Sequence, residues 1–431
     1  MALNYIFVGF FLVGFLFALI RTIGYFLRDY LANWGLTFDQ TDLNVFGAIV
    51  QSTFDMAETS ISIIIVLIGV MTLWLGIMRV GEAGGAVQVL TRLVAPFFRK
   101  LFPELPKDHP AMGSMMMNIS ANMLGLDNAA TPLGLKAMKD LQENNLQKDT
   151  ASNAQIMFLV LNTSGLTIIP VSVMAMRMGA GATNPTDIFI PILLATFFST
   201  MAGLISVSIF QKINLMNRTI LAYLGILTAA IVGFIWWMTS LTQAQVSTVG
   251  LVGGNFILYS IIVGFIWLAY RKKVNIYEKF IEGAKEGFEV AIKIIPYLVA
   301  MLVAIGVFRA SGAMDVLVDG IRFAVGGIGL PTEWVDGLPT AFMKPLSGSG
   351  ARGMMVESWG PITNGVAPYV DSFVGKLTSV FQGSTETTFY TIAVYYGAVN
   401  ISKTRYTVAA GLIADAVGII AAIFIAYLFF G

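Results

Sequence analysis

Apolar stretches long enough to be membrane-spanning helices recur along this chain, at 5–27, 60–78, 154–177, 187–210, 219–239, 250–270, 292–309, 378–398 and 405–430. A bilayer core takes about 20 residues of α-helix. Inside it every backbone N–H and C=O must find its partner within the protein. The pattern predicts an all-α integral membrane protein. Of 431 residues, 56% are hydrophobic and only 12% charged, against about 25% charged in soluble domains. The first run, "MALNYIFVGFFLVGFLFALIRTIGYFL", lacks a basic start and a small-x-small cleavage site, so it reads as a spanning helix rather than a signal peptide. Arg21 and Arg28 follow it, which favours an outside N-terminus.

Four segments, 86–101, 112–140, 312–328 and 339–365, carry too much Gly, Pro, Ser and Asn for simple spans and are too apolar for ordinary loops. They read as re-entrant hairpins or amphipathic surface helices. Lys212, Arg218 and Arg271-Lys272-Lys273 mark basic loops, whereas 179–186 and 239–248 carry no Lys or Arg. If the basic loops face the cytoplasm, helices 187–210, 219–239 and 250–270 alternate consistently.

The chain also repeats itself. An apolar span, an Arg (Arg79, Arg309), a small-residue turn and an amphipathic run with a second Arg (Arg92, Arg322) occur in both halves. "FLVLNTSGLTIIP" aligns with "TSVFQGSTETTFY" at an offset of about 220 residues, which sets Asn162-Thr163-Ser164 opposite Gln382-Gly383-Ser384. The organisation is two homologous multi-helix halves, 1–212 and 246–431, joined by a linker helix within 213–245. A neutral loop in one half aligned with a basic loop in the other suggests inverted topology, but the first spans of the halves do not clearly invert. Inverted and parallel arrangements both remain open.

Each half carries two polar clusters at membrane depth. They are 117–134 and 161–165 in the first half, and 344–353 and 381–388 in the second. A carboxylate at mid-helix in lipid costs about 3 kcal/mol or more, so Glu386 must face protein or a wet cavity. Gly383 and Pro170 mark places where helical hydrogen bonding is interrupted, and interrupted helices expose the N–H and C=O ends with which transporters bind solutes and ions. The candidate binding residues are Asn118, Ser120, Asn122, Asp127, Asn128, Thr131, Asn162, Thr163 and Ser164 in the first half. In the second they are Ser347, Ser349, Arg352, Gln382, Ser384, Thr385, Glu386, Thr387 and Asp415. Taken singly, Thr163 is better explained as helix–helix glue. Asn118, Asn122, Asp127 and Asn128 could equally cap a hairpin turn. Arg352 either clamps an anion or neutralises Glu386 or Asp415. Asp415, alone in the last helix, is a coupling-site or ion-pair candidate. The methionines around 115–117 fit adaptable packing better than a Cu(I) site. His109 reads as a surface residue, and Tyr395-Tyr396 and Trp236-Trp237 as interfacial belts.

Several classes fall away. With no cysteine and one histidine, thiolate and multi-histidine metal sites are excluded. No P-loop and no nucleophile motif appears, so no enzymatic activity, cofactor or metal is expected. An energised function would need an ion gradient or a partner, with Na+ or H+ as the candidate coupling ion. A net charge of +1 gives no field for nucleic acid. The expected partners are the bilayer and a small-molecule solute, with a homo-oligomer left open.

"MNISANMLGLDNAATPLGLKAM", "LNTSGLTIIP" and "NPTDI" resemble spore maturation protein A, and "KPLSGSGARGMMVE", "FQGSTETTFYTIAVYYG" and "KTRYTVAAGLIAD" resemble spore maturation protein B. The resemblance covers nearly the whole chain and looks like a fusion of the two families. Both belong to the nucleoside-recognition (Gate) superfamily, which is similar to the cores of concentrative nucleoside and ferrous iron transporters. It implies one two-domain module in the bacterial cytoplasmic membrane and an association with spore core dehydration and maturation, a related member being associated with dipicolinate movement. "GSTE" at 383–386 is similar to the Gln-Thr-Glu with which nucleoside transporters contact substrate, but Ser384 stands where glutamine would be. Iron is disfavoured by the missing cysteine and GTPase domain.

Two readings follow. In the first, the chain is an ion-driven transporter or exporter of a small polar or anionic solute, such as a nucleoside or organic acid, with its site between the halves. In the second, it is a membrane scaffold in envelope or spore maturation, with a dry centre in which Glu386 pairs with Arg352.

Overall fold

A computed structural model describes residues 2–431 except 107, 108, 125, 126, 144 and 363, with backbone alone at 2, 3, 66 and 127–129. The described residues are nearly all helical. Helix α1 (Ala2–Phe26) leads through the short α2 (Arg28–Leu31) and α3 (Gln40–Leu43) into a 40-residue helix, α4 (Val45–Gly84). Then come α5 (Ala86–Leu101), a hairpin of α6 (Pro110–Met123) and α7 (Asp127–Glu143), a broken helix of α8 (Asn153–Thr163) and α9 (Val171–Gly179), and α10 (Phe189–Gln211). After the linker α11 (Arg218–Thr239) and α12 (Gln243–Arg271), the same order returns. Helix α13 (Ile276–Ala310) is long and α14 (Ala313–Gly327) amphipathic. A second hairpin pairs α15 (Leu338–Met343) with α16 (Gly348–Ser358), a second broken helix comprises α17 (Phe373–Ser384) and α18 (Thr388–Gly397), and α19 (Thr407–Phe430) closes the chain. Left-handed glycines, Gly85 and Gly312, turn the long helix into the amphipathic one in each half.

Among the described residues, seven helices are long and apolar enough to cross a membrane: α1, α4, α10, α11, α12, α13 and α19. The other two expected spans, 154–177 and 378–398, are the broken helices. The four ambiguous segments became the amphipathic α5 and α14 and the two hairpins.

The halves are inverted. Gly283 packs on Leu75 and Arg79, Gly287 on Met71 and Thr72, and Gly306 on Met56 and Ser52. As α13 advances, α4 retreats, so two helices with the same place in the repeat run antiparallel. Likewise Gly203 of α10 faces Ala414 of α19, while Gly418 of α19 faces Ser199 of α10. Helices α1 and α12 complete the exchange, α1 packing on α13 and α12 on α4. The first spans thus do invert, a fact hidden in the sequence because both are neutral over most of their length. The α4–α13 seam depends on missing side chains: a Cβ at Gly287 would lie 2.5 Å from the Met71 carbonyl oxygen. Gly287→Leu is expected to cost about 1–3 kcal/mol by overpacking, read as a lower melting temperature in detergent, while Leu at the open position Gly264 leaves it unchanged.

The loops sort into two sides. Gln211 donates to the Asn153 carbonyl, Arg405 to that of Ala151, and Lys403 pairs with Asp149. With Lys212, Arg218 and Arg271–Lys273 they form a basic side. The opposite side joins the two halves through a buried arginine. Arg177, fully enclosed, donates to the Val370 carbonyl at 2.8 Å, to Asp371 at 2.9 Å and to Asp187 at 3.1 Å, while Lys376 holds Asp187 at 3.0 Å. Burial alone would push the Asp371 carboxyl up, but hydrogen bonds from Thr183 and the Arg177 and Lys376 cations outweigh it and hold it below the ordinary range. A depressed carboxylate stabilises the fold above its unfolded pKa of about 3.9 and loses that contribution as pH falls through the lower folded value. The Asp371 contribution to the melting temperature should therefore be full and independent of pH near neutrality and be lost below about pH 4, so that part of the acid fall is absent in Asp371→Asn.

Three expectations change here. Arg21 lies beside Asp42 at 2.6 Å and the Ser311 carbonyl, at the end of α13 remote from the basic loops. Its charge is met locally, so it does not place the N-terminus outside. His109 is buried, its Nδ1 accepting the Ala111 N–H to cap α6. Tyr395 and Tyr396 are interior, Tyr396 against the Thr407 hydroxyl at 2.7 Å. Trp236 and Trp237 do face outward, and Met112, Met115 and Met116 are buried packing.

Candidate functional site

The two broken helices meet. Helix α8 stops at Thr163, and Pro170, which has no N–H to give, precedes α9. Helix α17 stops at Ser384, Thr385 takes an extended conformation, and α18 resumes at Thr388. β-Branched threonines on both sides of Glu386 favour that extension. Gly383, expected to mark the break, instead lies within α17 against Ile192. Freed backbone groups are satisfied across the molecule, as burial requires. The Glu386 N–H donates to the Thr163 carbonyl at 2.9 Å, the Ile168 N–H to that of Met123 at 2.7 Å, and the Phe389 N–H to that of Pro345 at 3.0 Å. Each hairpin tip thus caps the broken helix of its own half, and the two breaks cap each other. Gly165 is required at the crossing: its φ is +64°, and a Cβ there would lie 2.8 Å from the Glu386 nitrogen.

Two cavities adjoin this crossing. One, of about 450 Å³, runs along α4 and α13 past Met71, Met78 and Met176 to Arg79, Glu82 and Glu286 toward the basic side. The other, of about 520 Å³, is lined by Asn122, Thr131, Asn162, Tyr297, Tyr390 and Tyr395. Both fall within the 300–1,000 Å³ typical of ligand sites. Gly348, Arg352, Glu386 and Thr387 line both. The Glu386 side chain is exposed to this space, and among the described residues it makes no ion pair. Arg352 shares the wall, its Nε buried without a partner, and among the described residues it pairs with neither Glu386 nor Asp415.

The sequence candidates divide accordingly. Ser347 and Ser349 line the second cavity, Ser347 also capping α16 through the Gly350 N–H at 2.9 Å. Asn122 donates to Asn162 at 2.8 Å on the same wall. Gln382, with Oε1 unpartnered, and Thr385 line the first cavity. Others lie away from both. Asn118 is enclosed and ties the hairpin through the Ala130 carbonyl at 2.7 Å, the turn-capping role. Ser120 faces Thr91 of α5 at 3.1 Å. Thr163, Ser164 and Ser384 return their hydroxyls to their own helices at the Val160, Leu161 and Phe381 carbonyls, because buried hydroxyls near a helix end take the nearest acceptor. Asp127 and Asn128 have side chains outside the described residues. Asp415 lies behind the break, held by Thr388. Sequence reasoning passed over Lys344, which lines the first cavity although it opens the quoted motif "KPLSGSG".

Fold and site define a polytopic all-α membrane protein built from two inverted repeats around crossed broken helices. The nucleoside-recognition (Gate) family matches residues 64–181. Spore maturation protein B of Bacillus subtilis is 48% identical over 174 residues, 40% of this chain and 91% of that protein. Spore maturation protein A of the same organism is 43% identical over 155 residues, 36% of this chain and 79% of that protein. The chain belongs to the spore maturation protein A and B family. No solved structure matches it.

Proposed function

We propose that the chain is a transporter or exporter of a small polar or anionic solute in the bacterial cytoplasmic membrane, driven by an ion gradient and without enzymatic activity. The observation that carries this is the Glu386 carboxylate, exposed in a cavity wall beside Arg352 at the crossing of two broken helices. An intramembrane carboxylate on a wet surface is a binding group by default. Ends of interrupted helices at mid-depth supply the remaining dipoles. The positive-inside tendency assigns the basic side, and with it the mouth at Arg79, Glu82 and Glu286, to the cytoplasm. The names of its relatives link the family to spore maturation, and the Gate description to nucleosides, so nucleosides and small organic acids are the first solutes to try. The scaffold reading called for a dry centre with Glu386 paired to Arg352, and the cavity speaks against it. The purified chain in liposomes, loaded with a panel of nucleosides and organic acids under a Na+ or pH gradient, is expected to move at least one of them. Flux indistinguishable from empty liposomes across the panel would overturn the proposal.

A further inference from the structure

Asp415 is a carboxylate on a spanning helix, 2% exposed, and lines neither cavity. Its Oδ2 accepts the Thr388 hydroxyl at 2.7 Å, while its Oδ1 has no hydrogen-bond partner. Two further buried oxygens make no close hydrogen bond, Ser199 Oγ and Thr385 Oγ1, the latter still acting on the Asp415 carboxyl. Their closeness follows from Gly418, one turn beyond Asp415. A Cβ there would lie 2.8 Å from Thr385 Cγ2 and 3.0 Å from Ser199 Cβ. One turn before Asp415, a Cβ at Gly411 would lie 2.7 Å from Thr388 Cγ2. Small residues on both sides of the carboxylate thus let α18 close on Gly411, and the end of α17 and α10 close on Gly418, one turn to either side of it. Thr385 is also the C-cap of α17, so the negative end of a half-helix dipole points here. A buried carboxylate, a helix C-terminus and hydroxyl oxygens together favour a positive charge.

We propose that Asp415, Thr385, Thr388 and Ser199 hold one dehydrated monovalent cation, Na+ or a proton, behind the crossing of the broken helices. Binding stands on this geometry alone, whereas the role of the cation as coupling ion rests on the transport reading above. The asymmetry of the repeat supports a single site: Asp415 is the ninth residue of α19, and the ninth residue of α10 is Phe197. The charged groups facing Asp415 are Lys344, on the second hairpin tip, and Glu386. Lys344 is buried and also lines the solute cavity. A cation at Asp415 takes over the countercharge that Lys344 otherwise supplies and turns that ammonium toward an anionic solute. Cation and anion would then bind cooperatively.

The test uses the full chain in detergent and no solute. Sodium-22 binding and melting temperatures in NaCl against KCl, at fixed ionic strength, read the Na+ arm. Infrared titration of a protonated carboxyl band reads the proton arm. Saturable Na+ binding that stabilises the wild type and is lost in Asp415→Asn supports a sodium site. A titrating carboxyl band absent from Asp415→Asn, with no Na+ effect, supports a proton site. Ser199→Ala and Thr385→Ala are expected to weaken Na+ affinity about tenfold each, or to shift the band's midpoint, and carry the test should Asp415→Asn fail to fold. No Na+ binding and no titrating band means that Asp415 is only the permanent counter-ion of Lys344, and overturns the proposal. That result leaves gradient-independent solute flux intact, whereas failure of the transport reading leaves ion binding intact.

Discussion

Glu386→Gln is expected to lower solute flux in liposomes by about one to two orders of magnitude, while the melting temperature stays within about 1 °C of wild type. The flux loss follows from removing a charged partner of the solute, worth about 1.5–3 kcal/mol, at a tenfold change per 1.4 kcal/mol. The unchanged stability follows from exposure. Glu386 faces a cavity and makes no ion pair among the described residues, and the bond that fastens the crossing uses its backbone N–H, which donates to Thr163 and survives the substitution. Glutamine keeps the shape and loses the charge, so the two measurements separate chemistry from folding. A variant that transports like wild type would remove Glu386 from the site. One that unfolds would show that its carboxylate is a structural counter-ion.

Arg177→Met gives the opposite pattern. Arg177 is fully enclosed and binds carbonyl or carboxylate oxygens of Asp187, Val370 and Asp371, which come from both halves. Removing one member of a buried ion network leaves uncompensated charge and costs about 3–5 kcal/mol. The apparent melting temperature in detergent is expected to fall by several degrees, with rescue by the added substitutions Asp187→Asn and Asp371→Asn. Arg177→Lys should not rescue, because one ammonium cannot replace a planar fork that reaches Val370, Ser379, Asp187 and Asp371 at once. A single-variant loss that the double neutralisation leaves unchanged would assign the effect to packing instead.

How much of this was written in the sequence differs from residue to residue. Membrane class, duplication and the existence of both breaks were legible, because each is a local departure from an apolar background, although the second break begins at Thr385 rather than at Gly383. The polar run around Glu386 could not lie in lipid, and neither could "LNTSG". Inversion of the repeat was not legible. It depends on which face of α13 meets α4, and Gly283 and Gly287 look like ordinary helix glycines until Met71 and Leu75 are seen against them. The candidate list was too inclusive for a related reason. Ser120, Ser164 and Ser384 share the composition of the cavity-lining serines, Ser347 and Ser349, but point elsewhere on their helices.

The sequence by itself determined that this chain is a helical membrane protein, that it holds two related halves, and that carboxylates at Glu386 and Asp415 must be sheltered. Those conclusions rest on transfer energies and periodicity, which are properties of a segment and its solvent. Only the tertiary structure decided that Glu386 is open to a cavity while Asp415 is sealed behind it, and that Arg352 neutralises neither among the described residues. Sidedness, pairing and enclosure are set by contacts between segments more than 200 residues apart, such as Thr163 with Glu386, and no local pattern encodes them.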